Sequence, residues 1–236
     1  MAKKLNMKKG KFPKKRYKSL ENYQHAFTLK NLKQSPAVLE QYEIEVDKAK
    51  VQIEIIKETY GIIYRMQTLD ISIATAALLD AIRTDLISVT TIGMKEITNP
   101  FSFADIKNQF MKESEIILTE KMPNINLSLK EYLIGKLMQD MLGLGELEFL
   151  VHDPLLEEIV ITSSKEPVRV YHKKYGWIQT NLTVKREDEI INYSNIIARR
   201  VGRQITVLTP LLDAHLVSGD RVNSILYPVS TKGNTI

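Results

Sequence analysis

Val168-Arg-Val-Tyr-His-Lys-Lys-Tyr-Gly-Trp-Ile-Gln-Thr180 is the stretch that decides the fold class. Two short runs, Val168–His172 and Trp177–Thr180, flank Lys173-Lys174-Tyr175-Gly176, so the segment predicts a β-hairpin. Trp177 is expected in the core rather than on a ligand platform. Upstream, Glu158–Thr162 is rich in Ile and Val and predicts a further strand. Before it, Gly143-Leu144-Gly145 opens the block, residues 146–152 read as a short helix, and Asp153-Pro154 reads as a turn rather than as chemistry.

Downstream, residues 186–200 carry the best-marked helix. Glu187, Asp188 and Glu189 stand at its start, Arg199 and Arg200 at its end, and Gly202 follows. That charge order complements the helix dipole. Ile190, Tyr193, Ile197 and Val201 give it an apolar stripe. Two final strands, about 214–217 and 221–227, are separated by the tight turn Ser218-Gly219-Asp220.

The first half reads as a separate block. Val51, Ile53 and Ile55, then Ile62, Tyr64 and Met66, alternate around Glu58-Thr59-Tyr60-Gly61, predicting another hairpin. A helix over about 71–89 has Ile73, Ala76, Ala77 and Ile87 on one stripe, with Leu79 and Ile82 nearby. Residues 91–102 read as a connection. Ile106, Phe110 and Ile117 mark a helix over 103–121. Ser128-Leu129-Lys130-Glu131 reads as a capping box for the next one. The expected class is α+β in two small blocks, the second a PAS-like antiparallel sheet with packed helices. The expected divisions are a basic, largely disordered tail at 1–45, a hairpin-plus-helices subdomain at 46–142, and a second domain at 143–236.

Charge is unevenly distributed. The chain of 236 residues has 33 Lys+Arg and 28 Asp+Glu, a net charge of +5. Residues 1–18 hold nine basic residues and no acid, so the rest, with 24 basic and 28 acidic groups, is mildly acidic. Nucleic-acid binding would rest on the tail alone, and no such partner is expected. The tail, including Lys8, Lys9, Lys11, Lys14, Lys15 and Arg16, is either a solvated block of like charge or a contact for anionic lipid or an acidic partner. No charge-free run exceeds ten residues (Tyr175–Val184), against the roughly 20 apolar residues of a membrane helix. With no cysteine there are no disulfides and no thiol chemistry, consistent with a cytoplasmic setting.

Most catalytic templates fail. There is no G-x-x-x-x-G-K-[ST] phosphate loop, no H-E-x-x-H and no G-x-S-x-G. Gly143 and Gly145 begin a G-x-G, but Glu148 stands where a third glycine belongs. His25, His152, His172 and His215 are isolated in sequence, so no metal site is expected.

Five separated pieces then stand in order: Gly143-Leu-Gly-Glu-Leu-Glu-Phe-Leu-Val-His-Asp-Pro-Leu-Leu-Glu-Glu-Ile159; Val201-Gly-Arg-Gln-Ile205; Pro210-Leu-Leu-Asp-Ala-His-Leu216; Ser218-Gly-Asp-Arg-Val-Asn223; and Pro228-Val-Ser-Thr-Lys-Gly-Asn-Thr-Ile236. Together they resemble the N-terminal domain of the type II/type IV secretion ATPase superfamily, which includes motors of secretion, pilus assembly and retraction, conjugation and the archaellum. Residues 46–142 are more weakly similar to the leading segment of archaeal members.

The resemblance implies a homohexamer whose N-terminal domain packs over a motor domain, near a membrane platform protein at the inner face of the cell membrane. The motor domain with its Walker A loop has no counterpart in these 236 residues. ATP and Mg would therefore belong to the full-length context, with none bound by this chain alone. By motif position, Arg221 and then Arg203 would approach the nucleotide phosphates, since a guanidinium stays charged and forks onto phosphate oxygens. Asp213 would orient an arginine or line the domain interface. The rival expectation is a stand-alone interaction module that uses its tail to tether a membrane or an acidic partner.

Overall fold

The computed structural model describes residues 37–89, 100–216 and 218–236. The basic tail and most of the 91–102 connection lie outside the described residues. The chain is α+β; its described residues form a six-stranded sheet, a separate two-stranded ribbon and five helices.

The large sheet starts earlier than the sequence suggests. β1 (Ala37–Val46) and β2 (Ala49–Glu58) pair antiparallel, joined by Asp47-Lys48. Both linking residues have positive φ, 54° and 71°, as a two-residue turn matched to strand twist requires. Asp-Lys is a poor signal for such a turn, and this explains why Ala37–Glu45 reads as tail. β2 continues into β3 (Gly61–Gln67) through the expected turn, with Glu58 opposite Gly61.

The two expected blocks share one sheet. β4 (Leu156–Val160), β5 (Pro167–His172) and β6 (Gly176–Thr183) form an antiparallel set, and β6 runs parallel to β3. The strand order is β1-β2-β3-β6-β5-β4. The large sheet therefore runs across residues 142/143, with three strands from either side. The parallel seam is short, with Ile63 opposite Gln179 and Tyr64 opposite Thr180. Asn181 extends it: its side chain accepts from the Met66 N–H (2.8 Å) and donates to the Met66 carbonyl (2.9 Å).

Helices cover one face of this sheet. They are α1 (Ile73–Val89), α2 (Pro100–Lys121), α3 (Leu127–Leu142) and α4 (Leu147–Val151). In α1 the buried stripe is Leu79, Ile82 and Leu86. Ile73 and Ile87, expected inside, are 90% and 65% exposed. The alanine-rich stripe has less apolar area to bury, so the leucine-bearing neighbour wins. Leu133, Ile134, Leu137 and Met138 of α3 are fully buried. Gly135 admits that packing: a Cβ there would lie 2.6 Å from both the Ala49 Cβ and the Asp47 carbonyl oxygen. The cap of α3 is Asn126, whose side chain accepts from the Ser128 N–H (2.9 Å), in place of the Ser128–Glu131 box.

α5 (Glu187–Arg200) follows β6 as expected and packs under the ribbon of β7 (Leu211–His215) and β8 (Arg221–Ile225). Ser194 of α5 and Ser224 of β8, both fully buried, share a 2.6 Å hydrogen bond. Thr235 exchanges two backbone bonds with Ile225, and Ile236 exchanges two with Ile161. The segment after β8 thus touches both sheets. Trp177 is 52% exposed, because β6 turns Ile178 and Thr180 inward and Trp177 and Gln179 outward. It packs edge-on against Tyr171, with ring centroids 5.4 Å apart.

Candidate functional site around Asp213

The ribbon gathers the three residues that the resemblance singles out. β7 and β8 pair with Asp213 opposite Asn223 and His215 opposite Arg221. Asp213 and Arg221 are thus diagonal neighbours on the exposed face, within reach of long side chains. Arg221 Nε donates to Asp213 Oδ1 (3.0 Å) and Nη2 donates to Oδ2 (2.9 Å). This is the fork geometry that a guanidinium offers a carboxylate.

Arg203 arrives from a different element. α5 ends at Arg200, Gly202 takes φ 67°, and the Arg203 N–H returns to the Ala198 carbonyl (2.8 Å). That turn directs the side chain across to β7, where Nη1 donates to the Asp213 backbone carbonyl. One aspartate therefore holds both arginines, Arg221 through its carboxylate and Arg203 through its main chain.

The electrostatics follow. The Arg221 hydrogen bonds hold the Asp213 carboxyl below its usual range, with His215 and Arg203 adding in the same direction. Asp213 in turn raises Arg221. The pair is solvent-exposed, with side chains 59% and 54% accessible, so it does little for stability. Two guanidiniums thus stand against the one Asp213 carboxylate, with the exposed Asp220 carboxylate in the adjoining turn. Arg221 Nη1 makes no hydrogen bond among the described residues, so it remains available to an anion.

A second polar cluster, read in sequence only as a turn, is buried where the two halves meet. Asp153 is 3% exposed. Its Oδ2 accepts from Tyr42 Oη of β1 (2.7 Å) and Tyr64 Oη of β3 (2.8 Å), and its Oδ1 from the Leu155 N–H (2.8 Å). Burial, together with the Asp153 charge, pushes both tyrosine hydroxyls well above their ordinary range. His172 is also buried; its Nδ1 accepts from the Lys174 N–H (3.1 Å), and its Nε2 has no hydrogen-bond partner among the described residues. Burial lowers its pKa, and the Asp153 and Glu40 carboxylates partly offset that. The hairpin tip reaches β1, where Lys174 Nζ and Tyr175 Oη both donate to Glu40 Oε2 (3.2 and 3.0 Å).

Two acids, Glu148 of the first motif piece and Glu187 at the start of α5, are structural. Glu148 Oε1 accepts from the Leu144 N–H (2.9 Å) and from Arg200 Nη2 (3.2 Å), so it braces the Gly143–Gly145 turn. Glu187 accepts from the Ser164 and Asn234 N–H groups, both at 2.7 Å. Burial works against its charge, but those N–H donors outweigh it and hold the carboxyl below its usual range. Glu157 and Glu158 are exposed. Among the described residues no cluster of three or more His, Cys, Asp or Glu is placed to hold a metal ion. Lys8, Lys9, Lys11, Lys14, Lys15 and Arg16 lie outside the described residues. Among the described residues, no helix is long and apolar enough to cross a membrane.

No family model matches the sequence. Similar proteins include three from Methanocaldococcus jannaschii. Uncharacterized protein MJ1288 is 33% identical over 94 residues, 40% of this chain and 37% of that protein. Uncharacterized protein MJ0900 is 38% identical over 99 residues, 41% of this chain and 18% of that protein. Uncharacterized protein MJ0781 is 28% identical over 202 residues, 84% of this chain and 26% of that protein. The chain thus spans well under half the length of these relatives.

Proposed function

We propose that this chain is the N-terminal regulatory and assembly region of a hexameric ATPase of the secretion and type IV pilus kind. In this reading it contributes arginines to ATP held by a motor domain and couples that domain to a membrane platform. The observation that carries the reading is the convergence of Arg221, Arg203 and Asp213. These residues come from three separated motifs and meet on one exposed face. The relatives add support of a different kind. Two of them match over 94 and 99 residues, about two fifths of this chain, and in one the match is only 18% of the protein. A portable region inside longer chains is what this division of labour needs.

The donor set fits the phosphate end of a nucleotide and no more of it. Arg221 and Arg203 would hold phosphate oxygens, with Asp213 keeping the Arg221 fork in place. ATP with its Mg2+ supplies the phosphoryl-transfer chemistry when bound. The metal would have to be held mainly from outside this chain. The basic residues Lys8, Lys9, Lys11, Lys14, Lys15 and Arg16 are assigned to the anionic lipid surface or the platform protein, which puts the assembly at the inner face of the membrane.

The test is ATP turnover by the chain alone and by the chain joined to a Walker A-bearing motor domain of the superfamily. The isolated chain should show none. In the joined protein Arg221→Ala should lower turnover on the order of a hundredfold. Substantial turnover by the chain alone, or unchanged turnover in the joined variant, would sink the proposal.

A further inference from the structure

The β7–β8 ribbon has an open edge. In an antiparallel pair, alternate residues turn their N–H and C=O toward the partner strand or away from it. Leu226 N–H donates to the Pro210 carbonyl and Leu216 N–H to the Asp220 carbonyl, both at 2.8 Å. With the register of the ribbon, this assigns Leu212 and Ala214 to the ladder. Leu211, Asp213 and His215 therefore point their backbone groups away from β8. Two observations agree: Arg203 reaches the Asp213 carbonyl from outside, and Ile225, opposite Leu211, bonds outward to Thr235. Apart from Arg203, the outward groups of β7 have no hydrogen-bond partner among the described residues.

The other edges are treated differently. Thr235 closes the Ile225 end of β8, and Ile236 pairs with Ile161 just beyond β4. β1 carries Glu43 and Glu45, the kind of charge that discourages pairing. β7 has aliphatic neighbours instead, with Leu211 and Leu208 60% and 93% exposed. A two-stranded ribbon is also marginal by itself and gains from a third strand.

We propose that the outer edge of β7 is a β-augmentation site for an extended segment of a partner protein with alternating aliphatic and acidic side chains. The alternation follows from the two faces of the ribbon. Residues of the added strand on the inner face lie beside Leu212 and Ala214, both buried, and need to be aliphatic. Those on the outer face meet Arg203 at the Asp213 carbonyl, with Arg221 and His215 adding positive field. Carboxylates there complement the charge, and the first of them draws Arg203 off the Asp213 carbonyl. The segment uses the backbone of β7 and takes Arg203, while Arg221 on β8 keeps the Asp213 carboxylate; the edge pairing itself needs no nucleotide, though a bound phosphate would compete for Arg203.

The experiment is amide hydrogen exchange on the whole chain with acetyl-Val-Glu-Val-Glu-Val-amide, and with the same peptide carrying Lys in place of Glu. At about nine-tenths occupancy by the acidic peptide, exchange at Leu211 and His215 slows about tenfold. The basic peptide has no such effect. Arg203→Glu weakens the acidic peptide about tenfold or more. Leu211→Pro removes an outward donor where proline is tolerated and also weakens it. No slowing, equal slowing by the basic peptide, or slowing confined to β1 overturns the proposal. Slowing that grows with protein concentration and needs no peptide assigns the edge to a second copy and overturns it as well.

Discussion

Asp153 and Asp213 make an instructive pair. Each is a carboxylate that gathers donors from distant parts of the chain. Asp153 is buried and holds Tyr42, Tyr64 and the Leu155 N–H. Asp213 is exposed and holds Arg221 through its side chain and Arg203 through its carbonyl. The donors differ to match. Neutral hydroxyls meet the carboxylate inside, where removing one partner strands the others without water. Cations meet it outside, where water can replace any member. The first arrangement fixes the joint between the two halves of the sheet. The second is cheap to rearrange, and that is what a binding surface needs.

Substitutions can break this contrast. Asp153→Ala leaves two tyrosine hydroxyls and a backbone N–H without an acceptor, and should cost about 3 kcal/mol, read from the urea midpoint. An unchanged midpoint would mean that water satisfies the cluster. Tyr64→Phe removes one of the bonds to the charge and should cost about 2 kcal/mol. Asn181→Ala takes away the bracket on Met66 at the parallel seam and should cost about 1 kcal/mol. Asp213→Ala should leave the urea midpoint unchanged within error while disturbing Arg221, seen as a shift in its side-chain Nε–H resonance. If its midpoint fell as far as that of Asp153→Ala, the contrast would collapse.

His172 sharpens the contrast by pH. Burial lowers its folded-state pKa below the ordinary 6.5. The unfolded chain therefore binds more protons just below that value, and stability rises with pH there. The contribution is complete above about pH 6.5 and is lost as pH falls from there toward the folded value. His172→Gln should flatten the pH dependence of the urea midpoint just below about pH 6.5. A slope that survives the substitution would place the titration elsewhere.

What the sequence revealed tracks where each element gets its stability. The Lys173–Gly176 hairpin, the dipole-matched α5 and the Ser218–Asp220 turn are local, and local residues mark them. β1 was illegible because its turn, Asp47-Lys48, relies on positive φ in residues that do not announce it. The joining of the blocks was illegible because the β3–β6 seam is a parallel pairing between residues more than a hundred positions apart. In α1 the periodicity was right but the chosen face was wrong, since the pattern does not say which of two adjoining stripes meets the sheet. Trp177 was misplaced by hydrophobicity alone, and strand parity corrects it. At the site, the motif pieces named Arg203, Asp213 and Arg221, but nothing in their spacing foretold that a single aspartate would hold both arginines.

The last two described residues form a load path. Thr235 is stitched to the ribbon and Ile236 to the large sheet, by two backbone bonds each. A pull applied at Ile236 reaches Ile161 first, and beyond it the strands that Asp153 and Asn181 bind together. Passing back through Thr235, the same pull reaches Ile225, the β8 partner of Leu211. Mechanically, the two sheets are loaded in parallel from a single point, so tension there is felt at the arginine-bearing face and at the buried joint together.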